Sequence, residues 1–235
     1  KNRVWRRKTW SFSCVMGEGE ELKIAIDGPA GSGKSTIARI LSRNLGFEYL
    51  DTGALYRGVA LLVQQAGLEL EQEEEISRLI LGSRFEFRHN LLYIDGSCVE
   101  EAIRRNEISR IVSYVAAKPF IRRILTEIER DIAHTAPDVI LDGRDIGTVV
   151  LPDAEVKIFL SASSGERARR RMLQLEEKGE RIPLETIEEE IIRRDHLDST
   201  REEGPLIQAE DAILIDTDQL TIEEVVGKIL EIVRK

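Results

Sequence analysis

The sequence predicts an α/β fold in which one parallel sheet of five strands is covered by helices on both faces. Short apolar segments of strand length alternate with longer segments whose apolar residues recur every three or four positions. The first strand pattern, residues 22–26, leads into the glycine-rich run GPAGSGKS at residues 28–35, and a helical pattern follows at once. This order of strand, glycine-rich loop and helix is typical of the P-loop NTPase type of α/β protein.

Composition narrows the class of protein further. The chain has 235 residues, of which 42% are hydrophobic, enough for one large domain with a modest insertion. Net charge is −9, and beyond the basic residues 1–15 the remainder stands at −14, so we expect no nucleic-acid partner. No apolar run approaches the length of a membrane span, so we expect no membrane partner. The two cysteines lack the spacing of a zinc site or disulfide framework, which favours the reducing cytoplasm.

Residues 1–20 are expected to lie outside the fold as a disordered N-terminal extension. They mix basic and aromatic residues without periodicity and end in a Gly/Glu spacer. Met16 is a candidate for the biological start. The folded domain is therefore predicted to span residues 21–235.

The glycine-rich run fits the G-x-x-x-x-G-K-S pattern of a P-loop, whose backbone N–H groups converge on phosphates. Lys34 adds a mobile positive charge, and the Ser35 hydroxyl is suited to ligate Mg²⁺. The predicted ATP-binding residues are Gly28, Pro29, Ala30, Gly31, Ser32, Gly33, Lys34, Ser35 and Thr36.

The second strand, residues 47–51, runs directly into a helix that Thr52 is placed to cap. A helix N-terminus favours anions, and Arg57 lies one turn further along. This end of the helix is a candidate site for the second substrate of a P-loop enzyme. The alternative is that Thr52 is only a cap and Arg57 only a solvated charge.

Residues 68–109 form a predicted insertion. An acidic run opens it, most simply a solvated helix face, and two strand-like segments flank residues 89–90 as in a hairpin. Helical periodicity returns from residue 109 to residue 133, with Pro119 marking a break or kink.

The third strand, residues 138–141, ends in the charged cluster Asp142, Arg144 and Asp145. Open α/β sheets bind ligands at the carboxyl ends of their strands, so this cluster is a candidate site. A fourth strand follows at residues 156–160, and the fifth, residues 212–215, precedes a closing helix with a Thr221 to Glu224 capping box.

Between the last two strands, Ser163 and Glu166 form a predicted capping box for a helix bearing several arginines. Arg167, Arg170 and Arg171 share one face by their spacing. Residues 179–183 read as a short mobile excursion before a helix from residue 184, which gives a predicted lid at about residues 172–190. The lid could lower the arginines onto a nucleotide, although a row of arginines can also be merely solvated.

These features together favour phosphoryl transfer to a small acceptor. The three histidines are scattered, without a nucleophile or metal-ligand arrangement. An acceptor that is itself a phosphate needs no general base, because its oxygen is already anionic.

The chain resembles the bacterial cytidylate kinases, a branch of the P-loop nucleoside monophosphate kinases, from about Lys23 to the C-terminus. The resemblance rests on GPAGSGKST, YLDTGALYR, DGRDIGTVV and RRDHLDSTREEGPL. It implies a core at residues 21–67 and 110–235 around a monophosphate-binding insertion. We expect the protein to be a monomer. It also implies that ATP, with Mg²⁺, phosphorylates CMP and dCMP to CDP and dCDP in pyrimidine metabolism.

The same resemblance implies a role for each matching residue. The acceptor phosphate is expected to contact Thr52, Arg57 and Arg144. The cytosine ring is expected to contact Ser113, Arg122 and Asp145. The ribose is expected to contact Arg194 and Asp198, and Arg201 belongs to the same group. Tyr56 and Asp142 complete the predicted acceptor site. The predicted catalytic residues are Lys34, Arg144, Arg167, Arg170 and Arg171.

Two other readings stay open on the residues alone. One is a kinase for UMP or a metabolite alcohol, although an alcohol would need a base and leave Arg57 and Arg144 without a phosphate to bind. The other is a nucleotide-binding switch, although the chain has no N-K-x-D element.

Overall fold

The computed structural model describes residues 21–177 and 179–234, so the predicted extension at residues 1–20 lies outside the described residues. The strands are β1 Lys23–Asp27, β2 Glu48–Asp51, β3 Phe85–Arg88, β4 Leu91–Ile94, β5 Ser97–Cys98, β6 Val139–Gly143, β7 Val156–Ser161 and β8 Ile213–Asp216. The helices are α1 Lys34–Leu45, α2 Thr52–Ala66, α3 Glu73–Gly82, α4 Glu100–Ile103, α5 Asn106–Ala116, α6 Pro119–Thr135, α7 Ser164–Glu176, α8 Leu184–Thr200 and α9 Ile222–Val233. A π-helical turn, Ile146–Val150, follows β6.

The main sheet has five parallel strands in the order β2-β6-β1-β7-β8, which confirms the predicted fold class. Central strand β1 is covered on both faces, since Ile24, Ala25 and Ile26 are fully buried. Helices α1 and α9 pack on one face, and α6 with the π-helical turn covers the other. This arrangement leaves the carboxyl ends of β1, β2 and β6 together at one edge of the sheet.

The predicted insertion contains α3, a small antiparallel sheet of β3, β4 and β5, and α4. The hairpin turns at His89 and Asn90, whose φ angles of 54° and 63° suit a tight hairpin turn. The insertion shares a hydrophobic core with α2, α5 and α6. Gly58 on α2 makes this contact possible, because a Cβ there would lie 3.0 Å from both Leu92 and Ile94. The acidic first turn of α3 is exposed, as predicted.

Two predictions about helix starts were wrong. The cap of α2 is Asp51, whose carboxylate accepts from Ala54 N at 3.1 Å, whereas the Thr52 hydroxyl donates to the Asp142 carbonyl at 2.9 Å. At α7 only half of the predicted capping box forms. Ser163 accepts from Glu166 N, but the Ser163 N–H donates to Asp218 and the Glu166 carboxylate pairs with arginines of its own helix.

Other helix predictions are confirmed. The long helical stretch breaks at Pro119, which becomes the first residue of α6, where its missing N–H costs nothing. The Thr221 and Glu224 side chains form the complete capping box of α9.

Candidate active site

The loop between β1 and α1 has the conformation of a phosphate cradle. Gly28 has φ of 145°, and a Cβ at this position would lie 2.1 Å from the Leu160 carbonyl oxygen. Gly33 stands in the left-handed region at the start of α1. The sequence G-x-x-x-x-G is therefore required by backbone geometry, and the N-terminus of α1 faces the loop.

Lys34 is buried and its ammonium folds back on the loop, donating to the Pro29 carbonyl at 2.7 Å. Burial, and next the positive charge of Arg144, hold the Lys34 pKa well below its usual range. An anion bound in the loop would raise the Lys34 pKa, because added negative charge favours the protonated ammonium.

The Ser35 hydroxyl donates to Asp142 Oδ2 at 2.8 Å, and the Tyr49 hydroxyl donates to Asp142 Oδ1 at 2.6 Å. Burial, and next the carboxylate of Asp51, raise the Asp142 pKa to about 6. The Asp142 side chain thus lies beside the P-loop serine, and only its backbone carbonyl bonds to Thr52. The prediction that Asp142 belongs to the acceptor site does not agree with this position, because its carboxylate contacts Ser35 and Tyr49.

A single pocket joins the remaining predicted acceptor residues. Its lining consists of Thr52, Gly53, Tyr56, Arg57, Val112, Ser113, Ala116, Arg122, Gly143, Arg144, Asp145, Arg194, Asp198 and Arg201. Residues from α2, α5, α6, the end of β6 and α8 converge there. Every predicted acceptor residue except Asp142 is present.

One end of the pocket is cationic. Arg57 donates to Ser109 Oγ at 2.9 Å, and burial, followed by the charges of Arg194 and Arg104, lowers its pKa to about 10. Arg194 is partly buried, and its Nε lies 4.0 Å from Asp198 without a hydrogen-bond partner in the described part of the chain. Clustered guanidinium groups that depress one another's pKa favour a multiply charged anion here.

The other end is built around the buried carboxylate of Asp145. It accepts from Arg122 and lies 3.5 Å from Arg201. Arg122 also lies over the Tyr56 ring, 5.2 Å from its centroid. This combination presents a fixed acceptor between two cationic donors.

Sequence reasoning missed two residues that hold Asp145. Asp27, at the end of β1, accepts from Ile146 N at 2.8 Å and Gly147 N at 2.7 Å, and so fixes the turn after Asp145. Burial raises the Asp27 pKa to about 6. Gly204 has φ of 56°, and a Cβ there would lie 2.1 Å from Asp145 Oδ2. The only feature of the sequence that could have indicated Asp27 is its place at the end of an apolar strand.

The three arginines predicted to share one face of α7 have different contacts. Arg167 is buried, pairs with Asp195 at 2.5 Å and donates to the Ala30 carbonyl of the P-loop. Arg170 pairs with Glu166 and donates to the Thr217 carbonyl at 2.7 Å. Among the described residues Arg171 has no hydrogen-bond or ion-pair partner, and its charge helps to lower the Arg194 pKa. Arg171 is therefore the least constrained of the three.

Within residues 21–177 and 179–234, no helix has both the length and the apolar character to cross a membrane. The same part of the chain contains no group of three or more His, Cys, Asp or Glu side chains arranged to hold a metal.

Comparison with known proteins gives one consistent family. The model of the family described as cytidylate kinase matches residues 24–235. A cytidylate kinase of Carboxydothermus hydrogenoformans is 50% identical over 216 residues, covering 90% of this chain and 97% of the relative. That of Desulfitobacterium hafniense is 49% identical over 216 residues, covering 91% and 93%.

A solved gluconokinase from Sinorhizobium meliloti overlaps 90% of this chain and 90% of its own at 13% identity, with a TM-score of 0.48, too low to support an inference. The match of the family model over almost all of the described chain and the identity of about half are decisive. The chain belongs to the cytidylate kinase family.

Proposed function

We propose that the protein is a kinase that transfers the γ-phosphoryl group of ATP to the phosphate of CMP or dCMP. The observation that carries this proposal is the pocket beside the P-loop, with clustered arginines at one end and the buried, arginine-held Asp145 at the other. A nucleoside monophosphate offers the matching features, a phosphate and a polar base separated by a sugar. Family membership supports the same substrate.

The cationic end suits the acceptor phosphate. The arginines Arg57, Arg144 and Arg194, together with the N-terminus of α2, would bind and orient it. The acceptor oxygen is already anionic, so it bonds to the γ-phosphorus as the bond to the bridging oxygen of ADP breaks, without a general base. Catalysis then depends on alignment and on cations that stabilise the moving phosphoryl group.

On the donor side, the loop N–H groups and Lys34 would hold the β- and γ-phosphates. Arg171 has no hydrogen-bond or ion-pair partner within the described residues, and its charge contributes to the lowered pKa of Arg194. Of the three arginines predicted to share one face of α7, it is therefore the best candidate to reach the transferred group. Arg167 and Arg170 would act less directly, since both are held by neighbouring groups.

Ser35 and Asp142 suit Mg²⁺, a cation that prefers hydroxyl, carboxylate and phosphate oxygens. Their oxygens lie 2.8 Å apart, on the P-loop side of the pocket. When bound, the ion would neutralise charge on the phosphates of ATP. Asp142 thus supports Mg²⁺ in this proposal, not the acceptor.

At the base end, the amino group of cytosine would donate to Asp145, while Arg122 and Ser113 would donate to the ring carbonyl and nitrogen. Uracil presents a carbonyl where cytosine presents the amino group, so the carboxylate repels it. Asp198 and Arg201 would contact the ribose, together with Arg194, which would reach both the ribose and the phosphate.

The remaining features of the proposal concern the whole protein. The insertion at residues 68–109 and the lid at about residues 172–190 would close over bound nucleotides and exclude water. We also propose a monomer that works in the cytoplasm.

A coupled assay for ADP release tests the function. ATP is supplied with CMP, dCMP, UMP, a metabolite alcohol or no acceptor. The proposal expects rapid release with CMP and dCMP and little otherwise. Release independent of any acceptor would indicate a switch or NTPase instead, and preference for the alcohol would indicate a different kinase.

A further inference from the structure

We propose that Arg104 and Ser109 are positioning residues for the acceptor phosphate, although neither lines the acceptor pocket. Both lie on the corner formed by α4 and α5, where the insertion rejoins the core. The inference rests on the proposed function and deepens it, because it explains how the phosphate-binding arginine and helix end are held in place.

Arg104 acts on the N-terminus of α2. Its guanidinium donates to Asp51 Oδ2 at 2.7 Å and also forms an ion pair with Glu100 at 2.8 Å. The other oxygen of Asp51 accepts from Ala54 N and caps the helix. One carboxylate therefore links the insertion to the first turn of α2, whose residues Thr52 and Gly53 line the pocket.

Ser109 acts on Arg57. The guanidinium of Arg57 donates to Ser109 Oγ at 2.9 Å and to the Ile103 carbonyl at 3.3 Å, both on the same corner. Burial, and next the charges of Arg194 and Arg104, lower the Arg57 pKa to about 10, although the Asp51 carboxylate acts in the opposite direction. The two neutral acceptors thus fix the direction of a buried guanidinium that lies close to two other cations.

These contacts should affect substrate binding more than stability. The side chain of Arg104 is 38% exposed, and although Asp51 is only 8% exposed, its carboxylate keeps its hydrogen bond from Ala54 N when Arg104 is replaced, so we expect a limited loss of stability. By contrast, a small misplacement of a substrate-orienting group can reduce catalysis up to about a hundredfold. We expect loss of either contact to raise the KM for CMP about tenfold, with a change in Tm of only a few degrees.

The experiment compares Arg104→Gln and Ser109→Ala with the wild type. Arg104→Lys is the conservative variant, because it keeps a charge that can reach Asp51. The matched control is Arg78→Gln, which breaks an ion pair with Glu74 on α3, where both side chains are more than 70% exposed. For each protein, KM for CMP, KM for ATP, kcat and Tm are measured.

The proposal expects KM for CMP to rise about tenfold in Arg104→Gln and Ser109→Ala, with KM for ATP within about twofold of wild type. Arg104→Lys should recover part of the loss, and the control should match the wild type. Unchanged KM for CMP in both variants, or equal rises in both KM values, would overturn it. A wild type without CMP-dependent ADP release would instead overturn the proposed function itself.

Discussion

Neutralising Asp145 is the sharpest single perturbation of the base-reading end of the pocket. In Asp145→Asn the amide oxygen can still accept from Arg122, but the charge between two guanidinium groups is lost. All three side chains are almost fully buried, each no more than 6% exposed. Removing one partner of a buried ion pair costs about 3–5 kcal/mol. For a domain of this size, that corresponds to a fall in Tm of roughly 6–20 °C.

The effect on substrate choice is separate. A mismatched buried polar group costs about 1–3 kcal/mol, so the preference for CMP over UMP should narrow roughly tenfold to a hundredfold. Efficiency with CMP should fall, because the amide can present either its oxygen or its NH₂ to the base. The assay is kcat/KM for both nucleotides, measured below the Tm of the variant.

Glu203→Gln is the matched control. Glu203 pairs with Arg123, the neighbour of Arg122 on α6, but the pair lies at the surface, with Arg123 60% exposed. This variant should keep both Tm and the preference ratio. If Asp145→Asn keeps the wild-type ratio of CMP to UMP efficiency, Asp145 does not read the base, and Arg122, Ser113 or Arg201 must do so.

Two further predictions concern buried charges. Lys34→Ala should lower kcat/KM by about a hundredfold to a thousandfold with little change in Tm, because burial and the charge of Arg144 disfavour this ammonium and offset its hydrogen bond to the Pro29 carbonyl; a folded variant with wild-type turnover contradicts this. Asp27→Asn should change how stability depends on pH. Burial raises the Asp27 pKa from 3.8 to about 6. The contribution of Asp27 to the free energy of unfolding is therefore fully present below about pH 4 and is lost as pH rises through 6. Wild type should therefore lose about 3 kcal/mol relative to the variant between about pH 4 and pH 8 in denaturant unfolding, and a constant difference would refute the assignment.

The sequence predicted the main sheet well, because its parallel strands are mostly apolar runs and all but the third lead into a segment of helical periodicity. The third strand of the insertion, Ser97–Cys98, was not predicted, since two residues leave no periodicity to detect. The cap of α2 was assigned one residue late. Asp51 and Thr52 are both good caps, and only the tertiary contact with Asp142 occupies the threonine hydroxyl.

Within the site, the predicted acceptor residues other than Asp142 line one pocket, as their motifs indicated. The direction of each side chain, however, could not be predicted from the spacing of residues in the sequence. Asp142 and Asp145 are three residues apart, yet one faces Ser35 and the other faces Arg122. Likewise, Arg167 and Arg171 lie one turn apart on α7, but Asp195, a residue distant in sequence, engages only the first. These choices depend on partners that the fold brings from other elements.

The most direct test of the account follows the phosphoryl group itself. Wild-type protein is incubated with CMP and ATP that carries a labelled γ-phosphate, and the products are separated. Direct transfer to CMP requires that the label appear in CDP in step with ADP formation. Label released as inorganic phosphate at the same rate with and without CMP would contradict it.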